Sequence, residues 1–168
     1  MASTNLNVYA QRAAFGDDAD IEAAVEALFE KLPAAARLGP ATHALIKPNL
    51  LAKHDPGAGV TTHPDVLRGI IHVLQKRGVR RITVADSPGG SYTPEGITSL
   101  YKACGIWALC EETGATPYTE CQSGPKAGPG HLVKEFNLIQ PVLDCDFIVN
   151  AAKLKTHVLT GITGAVKN

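Results

Sequence analysis

At 168 residues, 45% of them apolar and 19% charged, the chain suits one globular domain. Sixteen basic and sixteen acidic side chains cancel, which removes the electrostatic footprint of a nucleic-acid binder. No apolar run approaches the ~20 residues of a membrane span, and MASTNLNVYAQR at the N-terminus lacks the basic and apolar regions of a secretory leader, so a cytoplasmic protein is expected.

Residues 7–12 read as a short strand. A helix follows over 18–32, where Ile21, Val25, Leu28, Phe29 and Leu32 recur at helical spacing and Pro33 ends it. His43 to Leu51 reads as a buried strand whose ladder stops near Lys47-Pro48. A loop of about a dozen residues comes next, a length that is often functional. The periodicity predicts a second helix over 63–77, with Thr62 as N-cap, Pro64 in the first turn and Asp65 completing a capping box. Arg81 to Ala85 is a second buried strand, and the βαβ order implies parallel pairing with a right-handed crossover. Thr93-Pro94 opens a helix to about Cys104, and Ile106 to Thr113 forms another. Beyond them, 115–120 is a candidate strand, 121–130 a loop, 131–139 an edge strand and 146–150 a closing strand. The expected fold is α/β: an open, mostly parallel sheet flanked by helices in Rossmann-like βαβ layers. The whole chain forms one domain, and its first 42 residues are the part least fixed by pattern.

Ligands of open parallel sheets bind outside the carboxyl ends of the strands. Three strands here end in polar loops that parallel pairing would place on one rim. The first offers Lys47 and Asn49. The second offers Asp86, Ser87, Gly89 and Gly90. The third offers Asn150, Lys153, Lys155, Thr156 and His157. After Asp146 the chain carries three lysines in this region, with Lys167 near its end, and no acidic residue. The segment therefore reads as the floor of an anion site for a carboxylate or phosphate. The Gly89-Gly90 turn is a place where backbone N–H groups can meet an anion, although it matches no nucleotide-binding signature. His157, beside Lys155, suits a general base. Lys167 suits a phosphate donor or, if desolvated, a nucleophile. Asp86 suits an orienting carboxylate. The bland alternatives are a tight turn for the glycines, an ion pair for Asp86, a structural histidine and an exposed lysine. Cys104, Cys110, Cys121 and Cys145 are irregularly spaced and contain no C-x-x-C, so no metal or cluster site is read within the chain.

The segments IKPNL at 46–50, THPDV at 62–66, ADSPGG at 85–90 and KLKTHVLTGITGAVKN at 153–168 resemble domain-of-unknown-function family 362. That resemblance implies a longer family domain, of which this chain is the N-terminal portion. It also implies a ferredoxin-like module with four-iron clusters outside the chain. A more distant resemblance is to the N-terminal domain of the nickel-pincer lactate racemases, in which a lysine ten residues after a histidine carries the cofactor. His157 and Lys167 have that spacing, but the Asp86–Ser91 turn has no histidine where the racemases have one, and nickel is not carried over. Two functions are thus expected. One is an enzyme domain doing proton transfer on a small organic acid. The other is a non-catalytic scaffold for an iron–sulfur redox module. Self-association into a homodimer is expected if an apolar strand edge is left open.

Overall fold

The computed structural model describes residues 7–168. Four strands form a wholly parallel sheet: β1 (His43–Pro48), β2 (Arg81–Val84), β3 (Thr116–Pro117) and β6 (Phe147–Ala151), in the order β3-β2-β1-β6. Helices α1 (Asp18–Phe29), α2 (Pro64–Lys76), α3 (Pro94–Ala103), α4 (Ile106–Thr113) and α5 (Gln140–Asp144) flank it. The fold is therefore the α/β arrangement that the pattern predicts. Two small antiparallel hairpins complete the chain: β4 (Ser123–Ala127) with β5 (Glu135–Ile139), and β7 (Lys155–His157) with β8 (Gly161–Thr163).

β1 is central because it is apolar on both faces. Ala44 and Ile46 face a large core with Leu67, Ile71 and Leu74 of α2 and with residues of α3 and α4. Leu45 faces the other way, onto a small cluster with Ala85 and Ile139, which Val142 and Cys145 flank. Parallel strands are usually covered on both sides in this manner. Burying one Leu or Ile of α2 contributes about 1.5–3 kcal/mol, so this one helix face supplies a large share of the stabilisation. α1 lies outside α2, where Gly69 permits close approach: a Cβ at that position would sit 3.1 Å from Ile21 Cγ2.

Several elements differ from the pattern. Residues 7–12 form no strand and are exposed. The cap of α2 is His63, whose Nδ1 accepts from Asp65 N at 3.2 Å, and not Thr62. The Thr62 hydroxyl is buried and tied elsewhere, accepting from Asn49 N and donating to Ala151 O. The glycine- and proline-rich stretch after Cys121 is a strand, because its register with β5 runs from Ser123↔Ile139 to Ala127↔Glu135. Residues 140–144 are a short helix covering Leu45.

The order of strands positions the site. The chain steps from β1 to β2 to β3, then returns to the opposite side of β1 with β6. The crevice between the carboxyl ends of β1 and β6 is the switch point, where ligands of such sheets bind.

Candidate functional site

At the end of β1, Lys47 points its ammonium at Asp86, with Nζ to Oδ1 at 2.7 Å. Asp86 follows β2 directly and is 4% exposed. Its carboxylate also accepts from Leu50 N and Ser87 N, both at 2.9 Å. Its own N–H donates to the hydroxyl of Tyr101, which is wholly buried and whose pKa is driven up first by that burial. Asp86 is therefore a fastener between β1, β2 and α3 whose carboxylate accepts three hydrogen bonds.

The end of β6 joins this network through Asn168. The Asn168 amide donates to Asn150 Oδ1 at 2.7 Å and to the carbonyls of Lys47 and Pro48. Its Oδ1 accepts from Lys47 Nζ at 3.3 Å and from Asn49 Nδ2 at 2.9 Å. These partners fix the orientation of both amides, since carbonyls can only accept and the ammonium can only donate. One atom is left over: Asn49 Oδ1 is buried and has no partner. Asn150 in turn donates to Ala165 O at 2.7 Å, holding the last residues against β6.

The β7–β8 hairpin forms the other half of the rim. Its register places Lys155 opposite Thr163 and His157 opposite Gly161. Gly161 has φ +73°, a left-handed conformation that glycine adopts without strain. His157 Nδ1 accepts from Leu159 N at 3.2 Å and Thr160 N at 3.3 Å, so the ring caps its own turn. Backbone amides can only donate, so the neutral ring carries its hydrogen on Nε2. Lys155 Nζ donates to Val60 O at 2.8 Å. Desolvation lowers its pKa below the ordinary lysine value, and the charges of Lys167 and Lys153 lower it further. Among the described residues neither Lys155 nor Lys167 makes an ion pair. Thr163 is fully buried, and its Oγ1 has no partner.

A cleft of about 400 Å³ is lined by Lys155, Thr156, His157, Thr163 and Lys167 on one side and by Asn49, Leu51, Gly59, Val60 and Val158 on the others. A second cleft, of about 330 Å³, is bounded by Lys47, Asp86, Ser87, Gly89, Lys167 and Asn168, and it shares Asn49, Leu51 and Lys167 with the first. The two adjoin at these shared residues, as the two halves of a groove beside the switch point. The structure thus gathers Lys47, Asn49, Asp86, Ser87, Gly89, Lys155, Thr156, His157 and Lys167. Gly90 is exposed at φ +124° and borders neither cleft, while Asn150 sits beneath Asn168. Lys153 points to a neighbouring hollow with Phe15, Thr61 and His63. Val60 and Leu51 lie outside the quoted motifs, and Asn168 and Thr163 lie inside the 153–168 segment without a role that spacing assigns. A terminal asparagine or a lone threonine becomes informative only when its partners are known.

Among the described residues no three of His, Cys, Asp and Glu gather closely enough to hold a metal ion, and no helix is long and apolar enough to cross a membrane. The four cysteines are free; Cys104 and Cys110 are buried, and burial pushes the Cys110 thiol up to about 12. These dispersed thiols do not fit a cluster.

Comparison with known proteins gives two findings. The model of a family described as a domain of unknown function (DUF362) matches residues 44–168. The thylakoid-associated protein sll1697 of Synechocystis sp. is 28% identical over 134 residues, covering 77% of this chain and 38% of that protein. The chain therefore spans well under half the length of this relative. No solved structure matches.

Proposed function

The chain belongs to the DUF362 family, and from that premise we propose that its rim is a binding site for a small carboxylate or phosphate, at which His157 moves a proton. The observation that carries this reading is the uncompensated charge of Lys155 and Lys167. Both line one cleft, none of whose lining residues is acidic, and desolvation, then the charges of Lys167 and Lys153, hold the Lys155 pKa down. An anion beside Lys155 relieves both penalties, whereas a bare surface gains nothing by holding a part-buried lysine next to Lys153 and Lys167.

Roles follow from the bonding. Lys155 and Lys167 hold the anion, with Thr156 and Thr163 beside it. Lys47 is committed to Asp86 and sets the rim's shape. With Nδ1 engaged by Leu159 and Thr160, His157 presents Nε2–H to the cleft. In this geometry the neutral ring donates a hydrogen bond from Nε2 to a developing negative charge, and it transfers a proton only from the imidazolium, which forms when Nδ1 takes a proton and gives up Leu159 N and Thr160 N.

The test is calorimetric titration of inorganic phosphate and of acetate. Wild type should bind at least one of them. Lys155→Met and Lys167→Met should each weaken binding roughly tenfold, the loss of one charged hydrogen bond. Equal heats in all three proteins would sink the site. The second reading is a docking scaffold for an iron–sulfur module. It is favoured by the exposed Leu154, Ile162 and Val166, which lie beside the rim without a cover. In that case the anions would not bind and a ferredoxin-like partner would.

A further inference from the structure

Leu51 is placed against the interest of folding twice over. Its φ is +55°, one of two left-handed conformations outside glycine among the described residues, the other being Cys121. A branched aliphatic residue is disfavoured there, and glycine or asparagine is the usual solution. Its side chain is also 47% exposed, so the strained backbone does not serve burial. The neighbours show how it is held. Leu50 is fully buried with its N–H on Asp86 Oδ2, and Leu50 O accepts from Ala52 N at 2.5 Å. The chain reverses between them and turns Leu51 out onto the rim. There it lines both halves of the groove, beside Lys167. Val60 and Val158 add apolar wall to the half that holds Lys155 and His157. The buried hydroxyl of Thr163, without a partner, lines the same half.

We infer that the groove takes an amphiphilic acid, in which a carboxylate or phosphate head carries a short apolar chain, and that Leu51 is the residue that reads the chain. This deepens the proposed anion site and rests on it. The head lies between Lys155 and Lys167, and the chain lies along Leu51, Val60 and Val158. Strain retained at an exposed residue is the expected mark of a ligand contact, because selection for stability alone would have removed it.

The experiment is an NMR titration of the backbone amides with acetate, butanoate and hexanoate, and with inorganic phosphate and hexyl phosphate, using wild type, Leu51→Gly and Leu51→Asn. Each half-buried methylene should tighten binding about two- to fourfold, so hexanoate should bind wild type at least about tenfold more tightly than acetate. The phosphate pair shows which head group gains more from the same chain. In both variants the hexanoate-to-acetate ratio should fall towards about twofold. Both variants should melt at or above the wild-type temperature, since each suits a left-handed position. Binding of acetate and phosphate with no effect of chain length would overturn the inference and leave the anion site standing. No binding by any probe would overturn the anion site itself. An unchanged ratio in both variants, or a clear fall in melting temperature in both, would show Leu51 to be a packing residue and remove its role.

Discussion

The two halves of the rim are built from similar residue types and end in opposite states. Around Asp86 every charge is answered: Lys47, two backbone amides and the Asn168 clasp leave little for a ligand to complete. Around Lys155 the charges are not answered: Lys155 has one carbonyl, neither it nor Lys167 has a carboxylate, and Thr163 Oγ1 has no partner. The first half is an architectural joint at the point where β1, β2 and β6 end. The second is where the proposed site lies, because its lysines are left without a protein counter-charge. A cluster of polar residues at strand ends therefore has to be read by its bookkeeping of partners before it is read as chemistry.

Substitutions should separate the halves sharply. Asp86→Ala should have the largest effect on folding, about 3 kcal/mol in urea denaturation, because it leaves Leu50 N and Lys47 without their acceptor. Asn168→Ala should cost about 1–2 kcal/mol, since it opens the clasp between β1 and β6. Lys155→Met should do the reverse and leave stability unchanged or raise it by a few tenths of a kcal/mol, a surface-like effect, while it weakens anion binding. Loss of fold on Lys155→Met, or an Asp86→Ala protein as stable as wild type, would erase the distinction.

The pH dependence sharpens it further. The Lys155 pKa is lowered in the folded state, so between that value and the ordinary lysine value the unfolded chain binds more protons than the folded one. Stability contributed by this group therefore rises with pH through that window, and the penalty is fully present below it. Anion affinity should run the opposite way, falling as pH climbs through the depressed pKa because the ammonium is lost. The smallest effect expected is self-association through the open edge of β6, where Ile148 is exposed. Light scattering across a concentration series checks it, and a constant monomer mass would refute it.

Much of the fold was legible from apolar pattern. HALIKP and RITVA read as buried strands because β1 and β2 are covered on both faces, and the α2 stripe has helical period over three turns. The parallel rim followed from strand direction alone. What the pattern concealed was the work done by side-chain partners. Thr62 resembles a helix cap by spacing, yet its hydroxyl ties Asn49 to Ala151. SGPKA reads as loop because glycine and proline disfavour sheets, yet it forms an exposed strand of a two-stranded hairpin, where proline is tolerated. Leu51 looked like the tail of an apolar run. Its left-handed backbone has no sequence signature, because leucine is rarely found there.

The most direct measurement is the pKa of the Lys155 ammonium, by NMR of side-chain-labelled protein, in the free state and with saturating inorganic phosphate. The account predicts a free value below that of ordinary lysines and a rise when phosphate binds, because the anion supplies the missing counter-charge. A free value in the ordinary range that phosphate does not move would contradict it, and the lysine rim would then be a solvated surface.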